Sequence, residues 1–499
     1  MRSNNYKWIA LSCTSLGAFF SVLNSSALII ALPEIMHGLQ TNVIIMIWVL
    51  MIYMLIITIL VPAIGRVADI IGRKELYVLG FIIFTIGSLF CGFSINGTML
   101  LISRVVQSIG GALLVANSTS IVTDAFPKEE LGKALGINAM VISIGFVIGP
   151  VMGGLLTELL GWQYVFLLNV PVGIFGTIWA WVQLREIVKL PEHQHFDWIG
   201  TLTFSYGLFA LLLVLTIGAF FGWTLFVFGL FASSIISLIV FLVIENRINQ
   251  PMLDLTLFRS RLLGFAFTSN LLNGIARGSV LFLMVFYLQG LKGMDPLLAG
   301  IYLTPFAMAM MVLAPLSGYF SDKVGQRVLS SLGLLISAIG LFGFVTVQAD
   351  SHLSLPIIYS IIMGVGSGMF FSPNTSSIMG NVPPVKRGIA AGTRTMMNNA
   401  GSVISIAIGM AVISTSITPE ALTGLITGVQ TGTEGIEVAQ FIAGLHKAFL
   451  ISFIISIIAS FLSYLRGKPP KWQKNVEKSE ISETQNNKSQ DNNKIKKKG

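Results

Sequence analysis

Asn24 and Ser25 interrupt the first long apolar run, "SVLNSSALIIALPEI", and Arg104 and Gln107 fall inside another, "RVVQSIGGA". A guanidinium in hydrocarbon is costly, so Arg104 must face the protein interior and find a partner there. Gln107, three residues on, shares its helical face. By helical rise, Asn24 and Arg104 reach similar depths from opposite sides and can meet. An amide, a hydroxyl and a guanidinium can bind and orient a polar ligand, but none of them exchanges a proton near neutral pH. Arg277, at helical spacing from Asn270 and Asn273, is a second mid-span arginine and a functional candidate by default.

Other residues suit conformational work. In "PAIGRVADIIGRK" (62–74), Gly65 and Gly72 allow a tight turn, and Asp69 can sit near a helix terminus of another segment. Arg73 closes the pattern, which returns as "PLSGYFSDKVGQR" (315–327) with Gly318, Asp322 and Gly325. "PKEELGKALG" and "PVKRGIAAG" repeat at nearly the same offset, which implies duplication of a six-helix unit. "GFVIGPVMGG" spaces Gly145, Gly149, Gly153 and Gly154 mostly four apart around Pro150. Small residues at that spacing let helices approach closely, and the proline removes one backbone hydrogen bond.

The elements that must position these groups follow from composition. The 499 residues are 54% hydrophobic and 11% charged, whereas a soluble domain carries roughly 25% charged residues. Apolar runs of about 20 residues recur along the chain, each long enough to cross a bilayer as a helix. About fourteen such spans predict an all-α polytopic membrane protein, and the short alternating segments of a transmembrane barrel are missing. The expected organisation is a six-helix half over 1–190, two inserted helices over 191–250, a second six-helix half over 251–466 and a polar, basic, disordered tail over 467–499. The first span is too long for a signal-peptide core and lacks a small-residue cleavage site, so it should stay attached.

The net charge of +9 does not mark a nucleic-acid binder. Its cations, Arg66, Arg73, Lys74, Arg185, Arg259 and the tail among them, fall on one side of the predicted spans, and the other side has almost none beyond Lys292 and Lys447. That asymmetry predicts a cell-membrane protein with both termini cytoplasmic. Cys13 and Cys91 lie in apolar runs and imply neither disulfide nor metal. His193 and His195 stand without further ligands. No nucleotide-binding loop, Gly-x-Ser-x-Gly elbow or His-Glu-x2-His helix occurs, so no enzyme activity, metal or cofactor is expected.

"GRVADIIGRK", "RVVQSIGGA" and "GFVIGPVMGG" resemble, in order, three signature motifs of the major facilitator superfamily. The fourteen spans with "WQYVFLLNVPVG", "FDWIG" and "PMLDLTLFRSR" resemble its fourteen-helix drug–proton antiporters, over about residues 8 to 465. The resemblance implies an exporter of small hydrophobic or amphipathic compounds working by alternating access, proton-driven and monomeric. It implies that the Asp69 loop latches one transport state with Arg73 paired to Asp124, and that Arg104 belongs to the proton-coupling region. It also implies that the Gly-Pro-x2-Gly-Gly core marks export. Two positions depart from the family: Asn24 stands where an aspartate is usual, and Gln163 where an arginine is. No acid falls deep in a span, since Glu34, Asp124 and Glu158 are all terminal. A cavity with Arg104, Arg277 and no deep acid favours neutral or anionic substrates. Coupling then falls to a peripheral acid such as Asp124 or Glu34, to substrate charge, or to no proton. A dedicated exporter of one metabolite, lipid or siderophore, and a non-transporting sensor on the same fold, are the alternatives.

Overall fold

The computed structural model describes residues 4–126, 128–186, 197–248, 251–382, 387–427 and 434–466. With no water in the bilayer core, a spanning segment must bond its backbone internally, and these apolar runs do so as helices. Fourteen helical stretches among the described residues are long and apolar enough to span. The first group comprises α1 (Asn4–Gly38), α2 (Val43–Ile71), α3 (Arg73–Gly92), α4 (Gly97–Ala125), α5 (Lys128–Leu159), the short α6 (Gln163–Leu167) and α7 (Asn169–Gln183). Next come α8 (Trp198–Phe221) and α9 (Leu225–Glu245). The second group is α10 (Arg261–Arg277), α11 (Val280–Val285), α12 (Pro296–Val324), α13 (Gln326–Phe344), α14 (Ser354–Gly380), α15 (Arg387–Ile413), α16 (Pro419–Thr427) and α17 (Glu434–Tyr464). Helix starts are set by side chains that accept from otherwise orphaned N–H groups, as Asn42 does from Ile45 and Asn96 from Met99.

The 62–74 segment is less of a loop than its glycines suggested. Gly65 stays inside α2, which continues to Ile71, so only Gly72 turns the chain. Bonds within α2 offset the modest helix cost of one glycine. Gly72 has φ +125°, a conformation that side chains other than glycine rarely adopt. Gly325 has φ +97° at the corresponding junction of α12 and α13, while Gly318 stays inside α12. The first span is a long one, as α1 begins at Asn4 and ends at Gly38.

Helices α1–α7 pack into one bundle, with α1 on α5 and α3 on α4, and helices α10–α17 into another, with α13 on α14 and α10 on α15. The pair α8 and α9 pack on each other, and α8 packs against α15 and α2 at the seam. Across the seam α5 meets α12 and α2 meets α15. With an even number of spans, the described chain begins at Asn4 and ends at Arg466 on one end of the molecule, here the terminal end; the other is the distal end. A single apolar core draws on both bundles at the distal end, joining Leu32, Ile47 and Phe166 to Phe282, Phe286 and Phe449. Towards the terminal end the cores separate, one holding Leu11, Tyr77 and Ala125, another Leu263, Phe267 and Ile378. The seam between the bundles is therefore closed by shared apolar packing at the distal end, whereas separate cores serve the two bundles towards the terminal end.

Candidate functional site

The polar residues of α1 and α4 meet inside the first bundle. Arg104 is 1% exposed; its Nη1 donates to Gln107 Oε1 (2.5 Å) and its Nε to the Val49 carbonyl (3.3 Å). Its guanidinium lies 4.3 Å from the centre of the Tyr53 ring, whose hydroxyl bonds Ser21 Oγ (2.9 Å). A cation over an aromatic face gains electrostatic stabilisation that grows as water is excluded. Gln107 Nε2 donates to Ser88 Oγ (2.7 Å) and Asn24 Oδ1 (3.4 Å). Asn24 Oδ1 also accepts from Asn169 Nδ2 (3.1 Å). Asn24 and Arg104 thus share a site with Gln107 between them, and no carboxylate belongs to it among the described residues.

Asn24, Arg104 and Gln107 are all buried within the first bundle; of the five coupling or cavity candidates only Ser25 and Arg277 are partly exposed. Two network atoms lack partners: Asn24 Nδ2, a donor, and Asn169 Oδ1, an acceptor. A buried unsatisfied amide group costs roughly 1–3 kcal/mol. Asn169, Ser88 and Tyr53 were missed in the sequence. Asn169 was findable, as the one amide in the apolar "VFLLNVPVG"; serine and tyrosine are too common in spans to stand out.

Arg277 ends α10 partway along a span that runs Arg261–Leu291. There the helical ladder is interrupted, and the Ser279 N–H bonds the Ser405 hydroxyl of α15 (2.9 Å). Broken helices are tolerated at membrane depth only against protein or a wet cavity. The guanidinium lies 6.0 Å from the Phe306 ring, and among the described residues its Nε is unpartnered and no carboxylate bonds it. The carbonyl end of α10 partly compensates the charge. Nearby amides are structural: Asn270 Nδ2 donates to the Arg394 carbonyl (2.8 Å), Asn273 is buried, and Asn374 Oδ1 accepts from Arg466 Nη2. Asn398 and Asn399 are partly exposed on α15, and His193 and His195 lie outside the described residues.

At the terminal end Arg73 Nη1 and Asp124 Oδ2 are 2.5 Å apart, with side chains 17% and 15% exposed. Glu186 caps α3 by accepting from the backbone of Arg73 (3.2 Å) and Lys74 (2.9 Å). The side chains of Asp69 and Asp322 lie outside the described residues. Asp124→Asn is expected to slow transport several-fold while the protein stays folded, because a half-screened pair contributes only about 1 kcal/mol to stability. Combining Arg73→Asp with Asp124→Arg should restore part of the rate in a vesicle flux assay; no recovery would assign Asp124 another role.

The glycines of α5 serve two interfaces. A Cβ at Gly149 would stand 1.8 Å from Ser26 Oγ, and one at Gly153 2.4 Å from the Ala27 carbonyl oxygen, both on α1. Gly145 faces the Phe19 carbonyl of α1 at 3.2 Å. Gly154 faces α12 instead, where a Cβ would meet the Pro296 oxygen at 2.5 Å and Leu297 Cα at 2.6 Å. In return Gly300 of α12 approaches the Pro150 oxygen, 2.3 Å from its own would-be Cβ. Two polar contacts tie the bundles there: Gln289 Nε2 to the Ile30 carbonyl (2.9 Å) and Leu297 N to Glu158 Oε2 (3.3 Å).

This arrangement, two helical bundles sealed at one end by close glycine contacts, has clear relatives. The sequence profile of the Major Facilitator Superfamily matches residues 14–406 and, in an overlapping match, 266–490. The chain belongs to the major facilitator superfamily. This facilitator is 36% identical over 415 residues to the riboflavin transporter RibZ of Clostridioides difficile, covering 82% of the chain and 88% of the relative. It is 27% identical to multidrug resistance protein 3 of Bacillus subtilis, over 84% of each. It is also 28% identical to the tetracenomycin C resistance and export protein of Streptomyces glaucescens, over 80% of the chain and 75% of the relative. Among solved structures, the facilitator's fold matches a bacterial homolog of the human lysosomal transporter Spinster, inward-facing and unoccupied, with TM-score 0.65 at 18% identity over 94% of this chain and all of that one. A D-xylose–proton symporter matches with TM-score 0.64 at 13% identity, over 93% and 98% of the two chains. These relatives are membrane transporters, and this facilitator is a multi-pass membrane transporter of their family.

Proposed function

We propose that this carrier exports a small amphipathic organic molecule, neutral or anionic, across the cell membrane by alternating access. The observation that carries the substrate class is Arg277: a partly exposed arginine at a mid-span helix break, its buried Nε unpartnered and no carboxylate bonded to it among the described residues. Such a charge repels organic cations and gives an anion a partner in a medium where Coulomb forces are strong. The glycine-lined α5 contacts and the multidrug and antibiotic-export relatives support export. With the termini placed in the cytoplasm, the orientation that the basic loops support, the distally sealed form is read as the inward-facing state. Any proton that drives the cycle is carried by a group other than residue 24.

A decisive test uses proteoliposomes, with and without a pH gradient, and three versions of one aromatic scaffold bearing positive, no or negative charge. The anion and the neutral form should move and the cation should not. Arg277→Gln should lower flux of the anion by about tenfold or more, from loss of a desolvated charge contact, and spare the neutral form. Preferred cation transport unaffected by Arg277 would overturn the assignment.

A second reading rests on the identity to RibZ, which exceeds that to the drug exporters above. Riboflavin is neutral, planar and amphipathic, and so falls within the proposed substrate class. Saturable inward flux of riboflavin in the same vesicles would favour a vitamin carrier over an exporter.

A further inference from the structure

At the terminal end, apart from the Asn24 network, α8 begins where α9 ends, and each brings a carboxyl group to one spot. Asp197 caps α8, with Oδ1 accepting from Gly200 N (2.8 Å). Glu245, the last residue of α9, is 2% exposed, and its Oε2 accepts from the backbone N–H of Leu253 (3.0 Å). Leu253 lies in the linker to the second bundle and is itself buried. The remaining oxygens, Asp197 Oδ2 and Glu245 Oε1, are both buried, and no donor among the described residues bonds either. They lie together: a Cβ added at Gly200 would stand 2.1 Å from the first and 3.0 Å from the second. Two carboxylates cannot bond one another, but a carboxylic acid and a carboxylate can.

Charge around the pair points the same way. The N-terminus of α8 favours one negative charge at this place. No ion pair to either carboxylate offsets a second charge among the described residues, where Lys7 pairs with Glu130 and Arg73 with Asp124. On the linker, Asp254 Oδ1 accepts from Thr256 N (3.0 Å) and Oγ1 (2.5 Å), and it adds negative charge. Arg247, just past α9, is exposed. On α15, which packs on α8, the Arg394 guanidinium lies 5.1 Å from the Phe371 ring of α14. The side chains of Arg66 and Asp69 on α2, and all of 187–196 before Asp197, lie outside the described residues.

We propose that Asp197 and Glu245 hold one proton between them, forming a proton-binding site that ties the inserted helix pair to the 251–254 linker. Bound, the proton sits between Asp197 Oδ2 and Glu245 Oε1, and Glu245 Oε2 keeps the Leu253 amide. When pH rises and the proton leaves, two adjacent buried carboxylates repel, and Glu245 releases the linker. The apparent titration belongs to the pair and not to either residue. The site is independent of the transport reading, since neither residue belongs to the polar network or to Arg277.

The purified full-length chain allows a direct test. Infrared difference spectra from mildly acidic to alkaline pH should show a protonated carboxyl band that bleaches as pH rises. The band should vanish in Glu245→Gln and in Asp197→Asn; the second variant keeps a good N-cap and guards against loss of folding in the first. Hydrogen exchange at Leu253, corrected for its intrinsic rate, should quicken by about tenfold across the same titration in the native chain. In both amide variants it should stay slow, because the new amide N–H supplies the missing donor at every pH. Absence of the band, its persistence in both variants, or pH-independent Leu253 exchange in the native chain would each overturn the site.

Discussion

Asn24→Asp should make transport depend on pH through residue 24, a position where the native amide carries no titratable group. The substitution replaces an unpartnered donor, Asn24 Nδ2, with an oxygen, while Oδ1 keeps the bonds from Gln107 and Asn169. It also places an acid one side chain from Arg104, whose charge meets no carboxylate in the native network. Across a separation on the order of 8 Å and an effective dielectric of about 20, opposite charges attract by about 2 kcal/mol, close to thirtyfold in an equilibrium. Flux in vesicles should then respond to an imposed pH gradient by at least about tenfold. An unchanged pH profile with a folded variant would mean that residue 24 only braces α1 against α4 and α7.

The neighbouring glycines of α5 should give opposite phenotypes despite adjacency in sequence. Gly153 faces α1 of its own bundle, so Gly153→Ala overpacks a permanent interface and should cost about 1–3 kcal/mol of stability. Gly154 faces α12 across the seam, so Gly154→Ala opposes only the distally sealed state. A similar energy there shifts the conformational equilibrium by about tenfold or more, away from the sealed form. The measurements are thermal unfolding in detergent and alkylation of a single cysteine placed at Leu297. Gly153→Ala should lower the unfolding temperature without exposing that cysteine; Gly154→Ala should expose it with little thermal change. Matching behaviour of the two variants would remove the distinction between the interfaces.

Much of this fold could be read from the chain because bilayer physics writes it in long apolar runs. The fourteen spans rest on such runs, which the described helices follow. Gly72 and Gly325 were readable as paired features because a positive φ selects glycine. Gly65 was misread as part of the turn, since a helix bonded through Ile71 overrides a local breaker. The Arg104 network was half visible: polar residues in apolar runs announce themselves, but which partner each meets depends on helix rotation. Asn169 and Tyr53 come from other helices, and no local spacing encodes those distances. The Asp197–Glu245 pair was hidden for the same reason, being separated by a full helical hairpin.

Gly72 and Gly325 each join two long helices through a single residue. A one-residue elbow leaves almost no slack. Helix α2 cannot swing without carrying the start of α3, nor α12 without α13. The bending that lets a rocking carrier change the side it opens to must therefore occur elsewhere, at interruptions such as the one after Arg277. In mechanical terms the elbows are stiff corners of two rigid levers, and the broken tenth helix is a fulcrum that sits beside the charge proposed to meet the cargo.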